Sequence, residues 1–305
     1  MELKYDLNDS FNKAIMIKTP MILVEGRDDI QTYERIISGI KEVEILATEN
    51  FEELSGGNHH VVAALEILKP KINERAENTY YILGIIDRDA RFYRNEIPED
   101  LEELLVLKYY SIESHFVSKK NLSKVIYNIT YATEGLVNDG TVFFVESDFN
   151  NVLLEKLYYF SLDALKRACD RTYTSTISYS TSEGSLYDYS ELYNAVISRK
   201  SDLEIIANEM NITFDLENVK RIAKGKWLTY FYSKAIWEKI RQCRDACKND
   251  IITKCQFCQC GNHNDCLYRP RASYNNERQI ESELLKQIDE DEVKYIKERV
   301  MSLKN

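Results

Sequence analysis

Glycine and proline are scarce in this sequence. They number ten and four in 305 residues, where average usage of ~7% and ~5% would place roughly 36 in a chain of this length. Collagen-like sequence, long flexible linkers and a turn-dense all-β sandwich are therefore excluded. No apolar run approaches the ~18 residues that a membrane span needs; the longest, such as Tyr80 to Ile86, are strand-sized. The N-terminus, MELKYDLNDS, lacks the basic region and apolar stretch of a secretory signal, so a soluble, cytoplasmic protein is expected. An excess of positive charge is also missing. Forty Lys and Arg face fifty Asp and Glu, for a formal net charge of −10. This rules out a surface coated for non-specific DNA binding but leaves room for a local basic face. A complete disulfide framework is absent as well, because the cysteines number seven and the expected compartment is reducing.

What is present is enough apolar material, 44% of residues, for one large domain or two ordinary ones. Strand and helix signals alternate through the first part of the chain. Met21 to Val24 is a short apolar run ending at Glu25-Gly26, after which Asp28 or Asp29 can cap a helix with Ile30, Tyr33, Ile36, Ile37 and Ile40 at helical spacing. Val43 to Ala47 reads as a second strand. Ser55-Gly56-Gly57-Asn58 then opens a helix with Val61, Ala64, Leu65 and Leu68 on one face and Pro70 near its end. Beside it, His59-His60 reads as a surface turn, with a phosphate site at the helix start as the rival reading. Tyr80 to Ile86 has the continuous apolar character of a strand buried on both faces, and Leu104 to Leu107 is a fourth run. Such alternation predicts an α/β domain with a mostly parallel sheet flanked by helices, over residues 1–117. Residues 118–305 read as a mainly helical C-terminal region. Its stretch Thr172 to Tyr189 is rich in Ser, Thr and Tyr and poor in charge, a loop or a contact surface. Residues 280–303 form an amphipathic helix or helix pair.

Ligand sites in open α/β sheets lie beyond the carboxyl ends of the strands. Glu25, Asp87, Asp89 and Glu113 all stand at or just after such ends, so one parallel sheet can bring them to a common rim suited to a hard cation such as Mg²⁺. Singly, each is an ordinary turn or surface residue; in order on consecutive strand ends they form a pattern. At these residues, Ile22-Leu-Val-Glu25-Gly-Arg-Asp-Asp29 and Ile85-Ile-Asp87-Arg-Asp89, the chain resembles the toprim catalytic domain of topoisomerases, bacterial primases and overcoming-lysogenization-defect nucleases. Tyr110-Ser-Ile-Glu113 and Ala223-Lys224-Gly225-Lys226 narrow the resemblance to the toprim-like, AriB-type effector nucleases of the PARIS anti-phage defence system. The toprim motifs cover about residues 20–116.

The resemblance implies a Mg²⁺- or Mn²⁺-dependent endonuclease that cuts host RNA, with tRNA as its target. Glu25 would act as a general acid/base or metal ligand, Asp87 and Asp89 would bind Mg²⁺, Glu113 would be a further site carboxylate, and Lys224 or Lys226 would hold the scissile phosphate. Arg91 stands where the fuller Asp-x-Asp-x-Asp pattern has a third aspartate. That leaves open either two metals or one metal with Arg91 facing phosphate. The resemblance further implies a homodimer when active, restraint by a partner ATPase of the same locus (AriA-type), and a phage trigger protein sensed through that complex.

Between Val219 and Lys248 nine Lys and Arg residues are opposed only by Glu238 and Asp245, and Trp227, Tyr230, Phe231, Tyr232 and Trp237 lie among them. One reading is a nucleic-acid surface using Arg221, Trp227 and Arg241 for phosphate contact and base stacking. The other is an amphipathic helix that buries its aromatics. Six cysteines crowd into residues 243–266, and their spacing is that of a structural zinc knuckle. Cys247, Cys255, Cys258 and Cys266 are the preferred ligands, His263 or Cys243 are alternatives, and a cluster of reduced thiols is the plain reading. A competing function is a non-catalytic zinc-containing module that binds nucleic acid or protein and carries a vestigial toprim site. The presence of Glu25, Asp87, Asp89 and Glu113 as a set speaks against it.

Overall fold

The computed structural model describes residues 4–52, 54, 58–188 and 190–304. The chain divides into two compact units. One comprises the chain up to Lys108 together with residues from Glu290 onward, and the other runs from Tyr109 to Asp289. The division thus falls at 108/109, with the last helix returning to the first unit, where the sequence suggests one boundary at 117/118.

The first unit is α/β. Its four strands, β1 (Met21–Val24), β2 (Glu44–Ala47), β3 (Ile82–Ile86) and β4 (Leu104–Val106), form an all-parallel sheet in the order β2-β1-β3-β4. Every residue of β1 and β3 is buried, as an apolar run without alternation requires when helices cover both faces. Met21, Leu23, Ile82 and Ile86 join the core with the helices Leu7–Ile17 and Asn58–Ile72. The intervening residues face the other side, where the helices Arg27–Ile37 and Glu290–Met301 bury Tyr33, Ile36, Val293 and Ile296. β3 is shorter than its apolar run, because Tyr80 and Tyr81 close a 3-10 turn, Ala76–Tyr81, and β1 offers pairing partners only from Met21. Gly84 is dictated by packing: a Cβ there would lie 2.7 Å from Val61 Cγ1 and 2.9 Å from Leu65 Cδ1, so the helix Asn58–Ile72 rests directly on the strand backbone. The helix start expected at Gly56-Gly57 lies outside the described residues.

The second unit is mainly helical. The helix Asp139–Asp148 passes through a π-helical turn, Phe149–Leu153, into Leu154–Cys169. The 24-residue helix Gly225–Lys248 buries Trp227, Tyr230, Phe231 and Tyr232 and leaves Trp237 half-buried, as an amphipathic helix does. These four aromatics fill the core. Trp227 is fully buried, stacks on Tyr179 and donates its indole N–H to Thr181 O at 2.9 Å, so it is not a base-stacking platform. Lys220 is buried over the Tyr109 ring, while Lys234 and Lys239 pair with Asp188 and Asp148. Arg221 is half-buried, and Arg241 is exposed.

The segment Thr172 to Asp188 is packed rather than loose. Buried Asp163 accepts the backbone N–H groups of Thr176 and Ile177, and Tyr179 donates its hydroxyl to Ile222 O. The C-terminal stripe falls on two helices, Glu277–Leu284 in the second unit and Glu290–Met301 in the first. Ile280, Leu284, Val293, Ile296 and Val300 are all buried, so the apolar stripe is used within the fold. Among the described residues no helix is long and apolar enough to cross a membrane.

Candidate catalytic and metal centres

In the first unit the adjacent parallel strands β1 and β3, paired Leu23 to Gly84, carry Glu25 and Asp87 off the same edge of the sheet. The two are joined directly, the Asp87 N–H donating to Glu25 Oε1 at 2.9 Å. Thr48, at the end of β2, donates its hydroxyl to Glu25 O at 3.1 Å. The helix that follows is capped by Gly26 rather than by Asp28 or Asp29. Asp29 is its third residue, and its carboxylate accepts the Gly26 N–H at 3.1 Å.

Asp89 sits at φ 30, a backbone conformation that costs a side-chain-bearing residue roughly 1–3 kcal/mol. Its carboxylate accepts the Arg91 N–H at 2.6 Å and lies 3.3 Å from Arg91 Nε. Arg91, 4% exposed, also brings Nη2 to 3.9 Å from Glu25 Oε1, and that Nη2 has no hydrogen-bond partner. A guanidinium therefore lies between the two carboxylates, at the position where the metal-site reading places a third aspartate. Burial pushes the Glu25 carboxyl up from the ordinary 4.5 to about 7; the Asp87 N–H and Arg91 oppose the rise, and Asp89 and Asp29 add to it. Burial and then the charge of Asp87 hold the Tyr33 phenol well above its usual range, and burial raises that of Tyr295. The Tyr295 hydroxyl accepts the Lys108 N–H at 2.9 Å. Tyr33, Thr48 and Tyr295 had no part in the motif. Tyr33 reads in sequence as one of the helix's apolar positions, and Tyr295 reaches this edge only through the chain's last helix.

In the second unit Glu113 meets the Lys-Gly-Lys element. Ser111 Oγ donates to Glu113 Oε2 at 2.5 Å, and a Cβ on Gly225 would collide with Ser111 Oγ and come within 2.8 Å of Glu113 Oε2. The glycine is required because this segment lies against the first turn of the helix Gly225–Lys248. Lys224 donates to Tyr179 O at 3.0 Å, and Lys226 is exposed. A carboxylate and two lysines thus gather at one helix N-terminus.

The cysteines form the second centre. Cys247, Cys255, Cys258 and Cys266 are all buried, with their sulfurs within 4.8 Å of one another. Four sulfurs at the ~2.3 Å zinc–thiolate distance around a tetrahedral ion stand about 3.8 Å apart, so the set is already gathered close to that size. Cys255 Sγ and Cys266 Sγ are 4.0 Å apart, and the Cys255 N–H donates to Cys247 Sγ at 3.3 Å. Burial pushes the Cys247 thiol up to about 12 and raises that of Cys266. Burial acts on Cys255 too but is outweighed by N–H groups of Leu267 and Cys258 and by neighbouring thiols, which bring it down to about 7. These four residues could hold a structural zinc. Cys243, buried one turn earlier, and His263 lie outside the set. Tyr268 ties the knuckle to its surroundings, its one hydroxyl proton shared between Leu136 O and Thr253 O, each 2.9 Å away.

The carboxylates are arranged differently. Among the described residues the four cysteines are the group whose ligand atoms already converge, and Glu25, Asp87 and Asp89 form no such cluster. No protein-family model matches the chain, and no curated protein matches it significantly.

Proposed function

We propose that this chain is a divalent-metal-dependent nuclease of the toprim type, acting as a toxic effector of bacterial anti-phage defence on host RNA, with tRNA as the target to which the resemblance points. The observation that carries this reading is the shared strand edge: Glu25 and Asp87 side by side on β1 and β3, linked by one hydrogen bond, with Asp89 two residues on. The donors are hard oxygens, as Mg²⁺ or Mn²⁺ requires, and the buried Arg91 Nη2, ion-paired to Glu25 but without a hydrogen bond, has a donor to spare for a ligand. Asp87 and Asp89 would hold the ion, which supplies charge neutralisation at a phosphate. Glu25 would take the proton of the attacking water or ribose hydroxyl as carboxylate and return it to the leaving oxygen as acid. Arg91 donates Nη2 to a phosphate oxygen, in the place a second cation would otherwise fill.

Glu113, Lys224 and Lys226 are proposed to hold substrate phosphate. A zinc ion at Cys247, Cys255, Cys258 and Cys266 is proposed as a structural staple, and elemental analysis should find about one per chain. A partner ATPase would restrain the nuclease, and a phage protein sensed by that complex would release it to act as a homodimer. The rival reading is a zinc-containing binding module with a vestigial site, favoured by the absence of a preformed carboxylate cluster among the described residues. Sequencing RNA ends after induced expression of the parent, Glu25→Ala and Asp87→Ala proteins separates the two. New tRNA ends with the parent and none with the variants support the nuclease; ends produced equally by all three refute it.

A further inference from the structure

Four of the aromatics in the basic segment are spent on the core, and Lys226, Arg241, Arg244 and Lys248 stay exposed; the second unit also carries another basic groove. It has a volume of about 760 Å³ and lies between the helices Lys119–Ile129 and Asp139–Asp148, lined by Lys119, Lys120 and Lys124 on one side and by Val142 and Phe143 on the other. An adjoining cavity of about 360 Å³ shares Lys124 and adds Tyr127.

Helical periodicity explains the arrangement. Leu122, Val125, Ile126 and Ile129 turn the first helix toward the core, which leaves the three lysines and Tyr127 on the outward face. Phe143 is 68% exposed and Tyr127 47%. The Phe143 ring thus stands open beside the lysines, with buried Val142 next to it. Asp139 is the one acidic residue lining the larger cavity. At the rim Lys120 lies 3.8 Å from Asp289, Lys124 donates to the uncharged Ile288 carbonyl at 2.7 Å, and Glu134 lines the adjoining cavity, so the positive part of the groove is the larger cavity, where three lysines face Asp139.

We propose that this groove binds single-stranded nucleic acid, with phosphates on Lys119, Lys120 and Lys124 and a base stacked on Phe143. Lysines alone would suit any polyanion. The exposed ring among them selects a ligand that alternates phosphate with a flat apolar face, since stacking on an aromatic accommodates every base. The choice of RNA as probe rests on the nuclease reading, whereas the groove itself does not.

The test is fluorescence anisotropy of a labelled single-stranded RNA with the full chain, without added Mg²⁺ or Mn²⁺, at salt between about 50 and 200 mM. Lys119→Ala/Lys120→Ala should weaken binding and flatten the dependence of log affinity on log salt by about 1.4, at ~0.7 for each phosphate no longer neutralised. Phe143→Ala should weaken binding roughly tenfold and leave the salt dependence unchanged. All three side chains are exposed, so the variants should fold, and matching urea midpoints will establish it. Parent-like binding by both variants overturns the proposal, as does no binding by the parent up to about 100 µM, the weak end of non-specific affinity. Loss confined to Lys226→Ala or Arg241→Ala would move the site elsewhere, and equal binding of a labelled polyglutamate would assign the groove to an acidic protein. Glu25→Ala protein that cuts RNA like the parent would end the nuclease reading and leave these binding results standing.

Discussion

The Glu25 carboxyl is half-buried, with a fifth of its side chain exposed, and Glu25→Gln isolates the effect of its proton on the metal-free fold. Its pKa rises from 4.5 in the unfolded chain to about 7 in the fold. Between these values the folded state binds the proton and the unfolded state does not, so stability falls as pH rises through the window and levels off above it. At 1.36 kcal/mol per pH unit, a rise of that size amounts to roughly 3 kcal/mol by pH 8. Gln imitates the protonated form at every pH. The substituted protein should therefore match the parent near pH 4 and exceed it by up to about 3 kcal/mol at pH 8. Both tryptophans, Trp227 and Trp237, belong to the second unit, so indole fluorescence would follow the wrong part of the molecule. Hydrogen exchange of peptides covering Met21–Val24 and Ile82–Ile86 reads the first unit directly. Parallel pH profiles for parent and Glu25→Gln protein would show that Glu25 titrates as an ordinary carboxyl, and the account of its burial would be wrong. Adding Mg²⁺ should flatten the parent's slope, because a cation favours the carboxylate.

Arg91→Ala should bind Mg²⁺ several-fold more tightly by calorimetry, since the cation between Glu25 and Asp89 is gone, yet cut RNA roughly 100-fold more slowly for want of the phosphate donor; unchanged metal affinity would refute the pairing. Gly225→Ala should cost about 1–3 kcal/mol by urea denaturation followed through the neighbouring Trp227, and an additional Ser111→Gly should restore part of it. Gly84→Ala should cost a similar amount, seen as faster exchange of Ile82–Ile86. Zinc chelation should increase exchange across residues 243–270 while leaving that of β1 and β3 unchanged; metal-free protein of unaltered exchange would show that the cysteines are only packed thiols.

The order of strands and helices, the strand ends bearing Glu25 and Asp87, and the clustering of the cysteines were legible in the chain alone. Each is a local property: apolar periodicity reports which faces are covered, and cysteines within one short segment, 247 to 266, are held near one another by the chain itself. Other features depended on residues distant in sequence. The need for Gly84 comes from Val61 and Leu65, and that for Gly225 from Ser111 and Glu113. Tyr295 joins the Asp87 edge only because the last helix returns to the first unit, and Cys243 lies outside the thiol set although its spacing admits it. Composition between 219 and 248 could not say whether Trp227 stacks on bases or fills a core, because an amphipathic helix and a nucleic-acid face use the same mixture of aromatic and basic residues. Only packing decides which side of the helix meets water, and it buried Trp227 while leaving Phe143 exposed beside three lysines.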